Sequence, residues 1–316
     1  MRIVFMGTPD FSVPTLTALV EGGHQVLAAV TQPDKPKGRG KSVLMTPVKE
    51  KAIEYGIPVY QPKKVRDPEF LEILRELNPD VIVVVAFGQI LPKDVLELPK
   101  YGCVNVHASL LPKYRGAAPI QWAVIDGETK SGVTTMQMDV GLDTGDMLEK
   151  REIVLDPKET GGSLFDKLSA LGGEMILSTL KKLEDGTAVP VPQGESDTSY
   201  AKMLTKEMGE IDWKKPAVVI ERLIRGFNPW PSAYTHFRGK TVKLWAADVL
   251  KSGEGLSFTG NPGRITVLKS RLFAETGEGF LEVLELQLEG KKRMDTAAFL
   301  RGFPIETGER FGETEE

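Results

Sequence analysis

The chain has 316 residues, of which 41% are hydrophobic and 27% are charged, a composition that excludes a disordered chain and is sufficient for two cores. The formal net charge of -4 excludes a general electrostatic attraction to nucleic acid, so such a partner must be held by a local basic patch. One cysteine excludes an internal disulfide, and three histidines argue against a histidine-rich site, so we expect no metal. The apolar run after Met1 is too short for a signal peptide and no segment is suited to span a membrane, which predicts a cytoplasmic protein without membrane association.

The first part of the chain alternates short β-branched runs with amphipathic stretches, a pattern typical of a parallel sheet covered by helices. Strands are predicted at residues 3–6, 25–31 and 81–86. The last of these has no polar residue, as expected for a central strand covered on both faces. Helical spacing predicts helices at 11–20 and Pro68–Leu77. In such a sheet a ligand binds at the carboxyl ends of the strands.

The pattern continues toward the middle of the chain. The further predicted elements are a strand that ends in the segment 105–109, a helix at 117–125, a strand pair at 133–138 and Met147–Val154, and a closing helix at 162–183. Residues 185–200 are rich in Gly, Pro, Ser and Thr without an apolar period, which is typical of a linker.

Beyond this stretch the pattern changes to short strands, predicted at 241–245, 263–267 and 284–289. Short strands at this spacing favour a small barrel. The predicted fold class is therefore α/β: a Rossmann-like, mostly parallel sheet domain followed by a smaller C-terminal β-barrel domain. The predicted bounds are 1–184 for the first domain, 185–206 for the linker and 207–316 for the second domain.

Asn105, His107 and Asp143 are the residue types that an acyl-transfer site needs. Positions two apart on a strand point to the same face, so Asn105 and His107 face one pocket. An amine that attacks an acyl carbon creates negative charge on oxygen, which the Asn105 amide and a protonated His107 stabilise. Asp143 then holds the imidazole in one tautomer and receives the proton shed by the amine. From spacing alone, a structural histidine and a turn asparagine remain an open alternative.

A longer string surrounds these residues. It reads Asn-Val-His-Ala-Ser-Leu-Leu-Pro at 105–112, then Arg115-Gly116, and Gly-Leu-Asp-Thr-Gly at 141–145, and it resembles the signature of folate-dependent formyltransferases. In that family the matching asparagine, histidine and aspartate form a catalytic triad. The resemblance implies 10-formyltetrahydrofolate as the formyl donor, and it implies these catalytic residues: Asn105, His107 and Asp143.

A second stretch of resemblance follows the all-apolar strand, where residues 87–92 read Phe-Gly-Gln-Ile-Leu-Pro. Glycine there lets a ligand approach the backbone closely. The family uses this stretch to grip the pterin ring through backbone groups, and its segment matching 109–112 also binds the folate. The implied folate-binding residues are Phe87, Gly88, Gln89, Ile90, Leu91, Ser109, Leu110, Leu111 and Pro112. Without the resemblance, 87–92 is equally typical of an ordinary glycine turn.

The glycine loop after the first strand argues against nicotinamide binding. After Gly7 the G-x-G-x-x-G spacing is missing, no further glycine occurs until Gly22, and Pro9 occupies the turn. The string at 7–12 instead resembles the N-terminal Gly-Thr-Pro-x-Phe-(Ala/Ser) of those formyltransferases that act on methionyl-tRNA.

A cationic loop follows the second strand, where Lys35, Lys37, Arg39 and Lys41 occur with Gly and Pro and without an acid. Such a loop suits phosphate contacts, and it leaves the edge of the sheet where the pocket should open. In the family the matching insertion binds initiator tRNA, and Arg39 resembles its key arginine. A solvated surface loop is the alternative.

The C-terminal segment nearly balances acidic and basic residues, so RNA binding would require its basic residues to gather on one face. Its string at 224–231, Ile-Arg-Gly-Phe-Asn-Pro-Trp-Pro, resembles the start of the family's OB-like domain, and OB-type barrels commonly bind nucleic acids. A domain that serves only stability or dimerisation is the alternative.

Together the resemblances imply a monomeric enzyme that transfers the formyl group of 10-formyltetrahydrofolate to the α-amine of methionyl-initiator-tRNA. A formyltransferase acting on a small amine or a sugar nucleotide would share the triad, but the cationic loop and the second domain would then lack a purpose. A non-catalytic RNA-binding module is the alternative of another class, and the intact triad argues against it.

Overall fold

The structure is a computed structural model that describes residues 1–36, 43–250 and 255–312. Contacts between residues divide the chain into two compact units. The first comprises Met1–Pro119, Lys130–Val154 and Phe165–Ala201, and the second comprises Ile120–Thr129, Leu155–Leu164 and the chain from Lys202 onward. No helix in these described ranges has both the length and the apolar composition needed to cross a bilayer.

The first unit is built on a mixed sheet. The strands in chain order are β1 (Arg2–Gly7), β2 (Gln25–Val30), β3 (Lys35–Pro36), β4 (Val43–Leu44), β5 (Val59–Tyr60), β6 (Val81–Val85), β7 (Cys103–His107), β8 (Lys130–Gln137) and β9 (Met147–Val154). β3 and β4 form a separate ribbon, and the others form one sheet in the order β5-β2-β1-β6-β7-β8-β9. In this order the neighbouring strands from β5 to β7 run parallel to one another. β8 is antiparallel to β7, and β9 is antiparallel to β8. The prediction of a mostly parallel sheet is confirmed.

Helices connect these strands. In chain order they are α1 (Val13–Glu21), α2 (Pro47–Glu54), α3 (Pro68–Leu77), α4 (Lys93–Leu96), α5 (Pro119–Ile125) and α6 (Gly161–Glu184). α3 begins and ends where the sequence pattern predicts, because Pro68 suits a first turn and Asn78 stops the helix in a left-handed conformation with φ 44°. Phe70 and Leu74 turn its apolar face into the core beside Ile82 and Val84 of β6.

β6 lies at the centre of the sheet between β1 and β7. All of its five residues, Val-Ile-Val-Val-Val, are buried, which confirms the prediction of a strand covered on both faces. In the parallel register Val84 lies opposite Asn105 of β7. The carboxyl ends of these two strands therefore open at the same edge of the sheet.

The second unit carries an antiparallel sheet. Its strands are β10 (Ala233–Phe237), β11 (Lys240–Leu250), β12 (Ile265–Leu268), β13 (Arg271–Glu275), β14 (Phe280–Leu288) and β15 (Met294–Asp295), and its helices include α7 (Ala217–Gly226) and α8 (Thr296–Gly302). The order is β10-β11-β14-β13-β12, with β15 on β14. Apolar side chains from β11, β13, β14 and α7 form its core. The predicted strands at 241–245, 263–267 and 284–289 are confirmed with longer or shifted ends, whereas β10, β13, α7 and α8 were not predicted.

The predicted barrel is confirmed only as an antiparallel sheet. Among the described strands, β10 and β12 form the two edges of this sheet and do not pair with each other, so the sheet is not closed. A segment near the C-terminus approaches both edges. Ile265 N donates to Glu309 O at 2.7 Å, Phe311 N donates to Gly263 O at 2.9 Å, and Gly312 N donates to His236 O at 2.9 Å.

Candidate active site

His107 and Asp143 lie together at the carboxyl end of β7. The His107 ring is buried, and its Nδ1 lies 3.8 Å from Asp143 Oδ1. Its Nε2 lies 3.0 Å from Tyr114 O, an acceptor that holds a proton on this nitrogen. Because 3.8 Å exceeds a hydrogen-bond distance, Nδ1 is not committed to Asp143 and is available to a substrate atom.

Asn105 lies two residues earlier on the same strand, with Val84 and Met136 as its neighbours on β6 and β8. Its side chain is half-buried and has no hydrogen-bond partner among the residues that the structure describes. An amide without a protein partner beside His107 is free to donate to a ligand. Asn105 and His107 thus lie two residues apart on β7, and Asp143 lies next to the His107 ring.

Two glycines support Asp143: Gly145 lies in the same loop, and Gly116 lies in a loop that faces it. Gly116 has φ 122° and its N donates to Asp143 Oδ2 at 2.9 Å, while a Cβ on it would lie 2.7 Å from Ala201 O. A Cβ on Gly145 would lie only 1.7 Å from Gln137 O. Both positions require glycine, which explains their place in the signature.

The turn after β7 is held by internal bonds. Thr134, opposite His107 on β8, donates from Oγ1 to Ser109 O at 2.7 Å and accepts from Leu111 N at 3.1 Å. Ser109 Oγ donates to Lys113 O at 2.6 Å, and the Leu111 side chain is buried with Met136. Of the predicted folate-binding residues in this turn, Leu110 and Pro112 are half-buried, whereas Ser109 and Leu111 have structural contacts.

The second predicted folate segment follows β6 and presents backbone. Phe87 and Leu91 are buried, Ile90 is 81% exposed, and Gly88 has φ 83°. Gln89 is engaged with its own unit, since its Oε1 accepts from Val65 N at 2.8 Å. Within the described part of the chain, the backbone groups of residues 88–91 make no hydrogen bond, so their donors and acceptors are open to a flat polar ring.

Comparison with known proteins follows the same division of the chain. The family model described as "Formyl transferase" matches residues 1–180, and the model described as "Formyl transferase, C-terminal domain" matches residues 203–304. A methionyl-tRNA formyltransferase of Agathobacter rectalis is 58% identical over 98% of this chain and 99% of its own length. The chain belongs to the methionyl-tRNA formyltransferase family.

Two solved structures share the formyltransferase fold. An N-formyltransferase from Helicobacter canadensis, in complex with folinic acid and dTDP-3-aminofucose, has a TM-score of 0.67 at 18% identity and covers 93% of this chain and 100% of that chain. HypX from Aquifex aeolicus, in complex with tetrahydrofolic acid, has a TM-score of 0.63 at 19% identity and covers 100% of this chain and 51% of that chain. At this identity the likeness shows the fold alone.

The N-terminal string that resembles the formyltransferases ties the sheet edge together. Ser12 Oγ donates to Val85 O at 2.7 Å. Thr8 Oγ1 donates to Phe87 O at 3.0 Å, and Gln32 Nε2 donates to the same oxygen at 3.1 Å. The Phe87 carbonyl is therefore occupied within the protein, which leaves residues 88–91 as the open part of this segment.

The predicted tRNA-binding loop of this formyltransferase falls largely on residues that are not described. Lys37, Arg39 and Lys41 lie outside the described residues, as does the side chain of Lys35. Just before the loop, Asp34 accepts from Lys49 Nζ at 2.5 Å, and this bond is the main cause that lowers the pKa of the Asp34 carboxyl.

Other chemistry finds less support in the described residues. Burial raises the pKa of the Cys103 thiol to about 12, so this cysteine is no nucleophile. In the described ranges no cluster of three or more His, Cys, Asp or Glu side chains is arranged to hold a metal ion.

Sequence reasoning missed several residues that support the site. Thr134 holds the turn after β7, and Tyr114 offers its carbonyl to His107. Gln193 and Thr198 contact the loops that carry Asp143 and Tyr114 from a segment predicted as a linker. Tyr114 adjoins the Arg115-Gly116 signature, which is the one available signal. Contacts across such sequence separations leave no local pattern.

Proposed function

We propose that the protein transfers the formyl group of 10-formyltetrahydrofolate to the α-amino group of methionyl-initiator-tRNA, giving N-formylmethionyl-tRNA for translation initiation. The observation that carries the proposal is the convergence of His107, Asp143 and a free Asn105 amide at the carboxyl edge of the sheet. The chain also resembles a methionyl-tRNA formyltransferase over 98% of its length.

The reaction forms a bond from the amine nitrogen to the formyl carbon and breaks the bond from that carbon to N10 of the folate. The amine loses a proton and N10 gains one, so no redox partner is needed. Negative charge develops on the formyl oxygen, where the Asn105 amide and a proton on His107 Nδ1 supply the donors. Asp143 Oδ1 lies 3.8 Å from the same ring nitrogen, and we propose that it accepts the proton of the amine.

We propose that the folate is bound by the two segments at this edge, residues 87–91 and 109–112. The backbone groups of 88–91 make no hydrogen bond within the described residues, and they can pair with the donors and acceptors of a pterin edge. Structures of the same fold from Helicobacter canadensis and Aquifex aeolicus contain folinic acid and tetrahydrofolic acid.

We propose that Lys35, Lys37, Arg39 and Lys41 contact tRNA phosphates. Neutralising Lys37, Arg39 and Lys41 together should raise the KM for tRNA roughly tenfold and flatten its salt dependence, because phosphate contacts displace counterions. The KM for folate should stay within about twofold of wild type. Equal effects on both substrates in steady-state kinetics would contradict the role of the loop.

We further propose that residues 207–316 form an OB-like tRNA-binding domain, after a catalytic domain at 1–184 and a linker at 185–206. Bonds from the segment at 308–312 to β10 and to the start of β12 support a barrel-like closure of this sheet. We expect the enzyme to be a cytoplasmic monomer.

The decisive experiment supplies 10-formyltetrahydrofolate with one of three acceptors: methionyl-initiator-tRNA, methionyl-elongator-tRNA or a dTDP-amino sugar. Mass spectrometry of the acceptor should show one added formyl group, fastest on the initiator tRNA. Formylation of the sugar alone would support a small-amine enzyme instead. Binding of tRNA without any formyl transfer would support a non-catalytic RNA-binding module.

A further inference from the structure

The segment 191–201, which we call the brace, follows α6 and was predicted as part of a linker. In the described structure it has no helix and no extended strand, yet it makes hydrogen bonds along its length to other parts of the first unit. Val191 exchanges backbone hydrogen bonds with Met147, and Ala201 N donates to Arg115 O at 2.8 Å. Tyr200 OH donates to Leu142 O at 2.8 Å.

Gln193 is the brace residue that reaches the Asp143 loop. Its Nε2 donates to Asp143 O at 2.9 Å and to Gly145 O at 2.7 Å. Its Oε1 accepts from Arg115 Nε at 2.9 Å. This pattern uses both donors and the acceptor of the amide, a combination that a carboxylate cannot reproduce.

Asp143 needs such support because its backbone is strained. It adopts φ 55°, a left-handed conformation that residues with a side chain rarely adopt. The same residue carries the carboxylate that faces His107 and accepts from Gly116 N. Fixing the carbonyl of Asp143 therefore fixes the direction in which its carboxylate points.

The brace also reaches His107 indirectly, through Tyr114. Thr198 Oγ1 accepts from Tyr114 N at 2.8 Å, and Tyr114 O accepts from His107 Nε2. Tyr114 itself has φ 57°, so it too is a strained residue held from the brace. The brace thus contacts both loops that set the distance between His107 and Asp143.

We infer that Gln193 is a positioning residue for catalysis, which holds Asp143 against His107 without touching the substrates. The inference rests on the proposed formyl transfer. It predicts that removing the two bonds donated by Gln193 lowers kcat and leaves substrate binding largely intact, because misplacing a reacting group by about 1 Å can cost roughly a hundredfold in rate.

The test uses Gln193→Glu in the full chain, an isosteric change that keeps an acceptor for Arg115. It replaces the donating amide nitrogen by a carboxylate oxygen, which cannot bond to the carbonyl oxygens of Asp143 and Gly145. With methionyl-initiator-tRNA and 10-formyltetrahydrofolate, kcat should fall roughly ten- to a hundredfold, and both KM values should stay within about threefold. Val191→Glu is the matched control. This substitution adds the same negative charge to the brace, but at a side chain that is half-exposed and makes no hydrogen bond. The kcat of Val191→Glu should therefore equal that of wild type.

A double-mutant cycle separates positioning from general weakening. In the Asp143→Asn background, Gln193→Glu should cost less than about threefold, because residues acting as one unit are not additive. Thermal unfolding of each variant reports on the fold. If Gln193→Glu is poorly folded, Gln193→Asn, which keeps the amide but is one methylene shorter, should show the same loss of kcat.

Failure of the proposed function and failure of this inference give different results. If wild type transfers no formyl group, the proposed function fails and this inference fails with it. If wild type is active and folded Gln193→Glu matches its kcat, or if the loss is fully additive with Asp143→Asn, the role of Gln193 alone is overturned.

Discussion

Two regions at the same sheet edge offer different kinds of groups. The loops around His107 and Asp143 present side chains, and their backbone is held by Thr134 and Gln193. The loop at 87–91 does the reverse, since its side chains are buried or engaged apart from Ile90, and its backbone groups from 88 onward are open.

The difference fits the role proposed for each region. Moving protons requires titratable or amide side chains held at fixed distances, so the backbone beneath them is held rigidly. Recognising a flat ring requires rows of donors and acceptors, which the peptide backbone already supplies. We therefore expect substitutions in the first region to change kcat, and changes of backbone conformation in the second to change KM for folate.

The largest effect is expected for His107→Ala. It removes the ring that faces Asp143 and should lower kcat by about 10³-fold or more. Binding of tRNA, measured by filter retention, should stay within severalfold because no tRNA contact is assigned to this ring. Unchanged turnover would refute the catalytic role of the side-chain region.

A smaller loss is expected for Asp143→Asn, which preserves shape and the acceptor for Gly116 N but removes the negative charge. Without a carboxylate to receive the proton, kcat should fall roughly a hundredfold while KM values change little. Single-turnover rates measured by rapid quench would check this. A rise in folate KM with normal kcat would place Asp143 in the binding region instead.

The backbone region is tested by Gly88→Ala. At φ 83° an added Cβ finds space but strains the backbone, so residues 88–91 should rotate and the KM for folate should rise roughly tenfold with little change in kcat. Gly186→Ala is the matched control, since Gly186 has φ 69° and open surroundings in the same unit. A similar KM change in both variants would show that general destabilisation explains the effect.

No effect on activity is expected for Glu149→Gln, which tests the scaffold behind both regions. Burial by itself raises the pKa of the Glu149 carboxyl, but hydrogen bonds from Lys182, Thr179 and Ser178 outweigh it and leave the pKa below its ordinary value of 4.5. The variant should lose about 1 to 2 kcal/mol of unfolding free energy at pH 7 with unchanged kcat and KM.

The pH dependence of that difference has a defined sign. A carboxyl whose pKa is lowered on folding stabilises the fold above its unfolded pKa, and this contribution disappears as pH falls through the folded value. In denaturant titrations, the difference between wild type and Glu149→Gln should therefore shrink as pH falls from 4.5 through the lower folded pKa. A difference that stays constant as the carboxyl becomes protonated would contradict the assigned cause.

Local patterns predicted much of the first unit because its strands and helices are strongly periodic. The all-apolar β6 and the amphipathic α3 are examples, and both were found where expected. The second unit was predicted less well. β10 and β13 have only five residues each, so their sequence patterns are too short to stand out, although each pairs with a neighbouring strand along the chain.

By itself the sequence predicted the candidate catalytic residues and the strand that carries Asn105 and His107, because a period of two places both on one face. It also pointed to the family, through long strings such as residues 105–112 and 141–145. Only the tertiary structure decided that Asp143 faces His107, that the backbone of residues 88–91 is open, and that Gln193 holds the Asp143 loop. These relations join residues far apart in the chain, and packing and hydrogen bonding, not local propensity, set their distances.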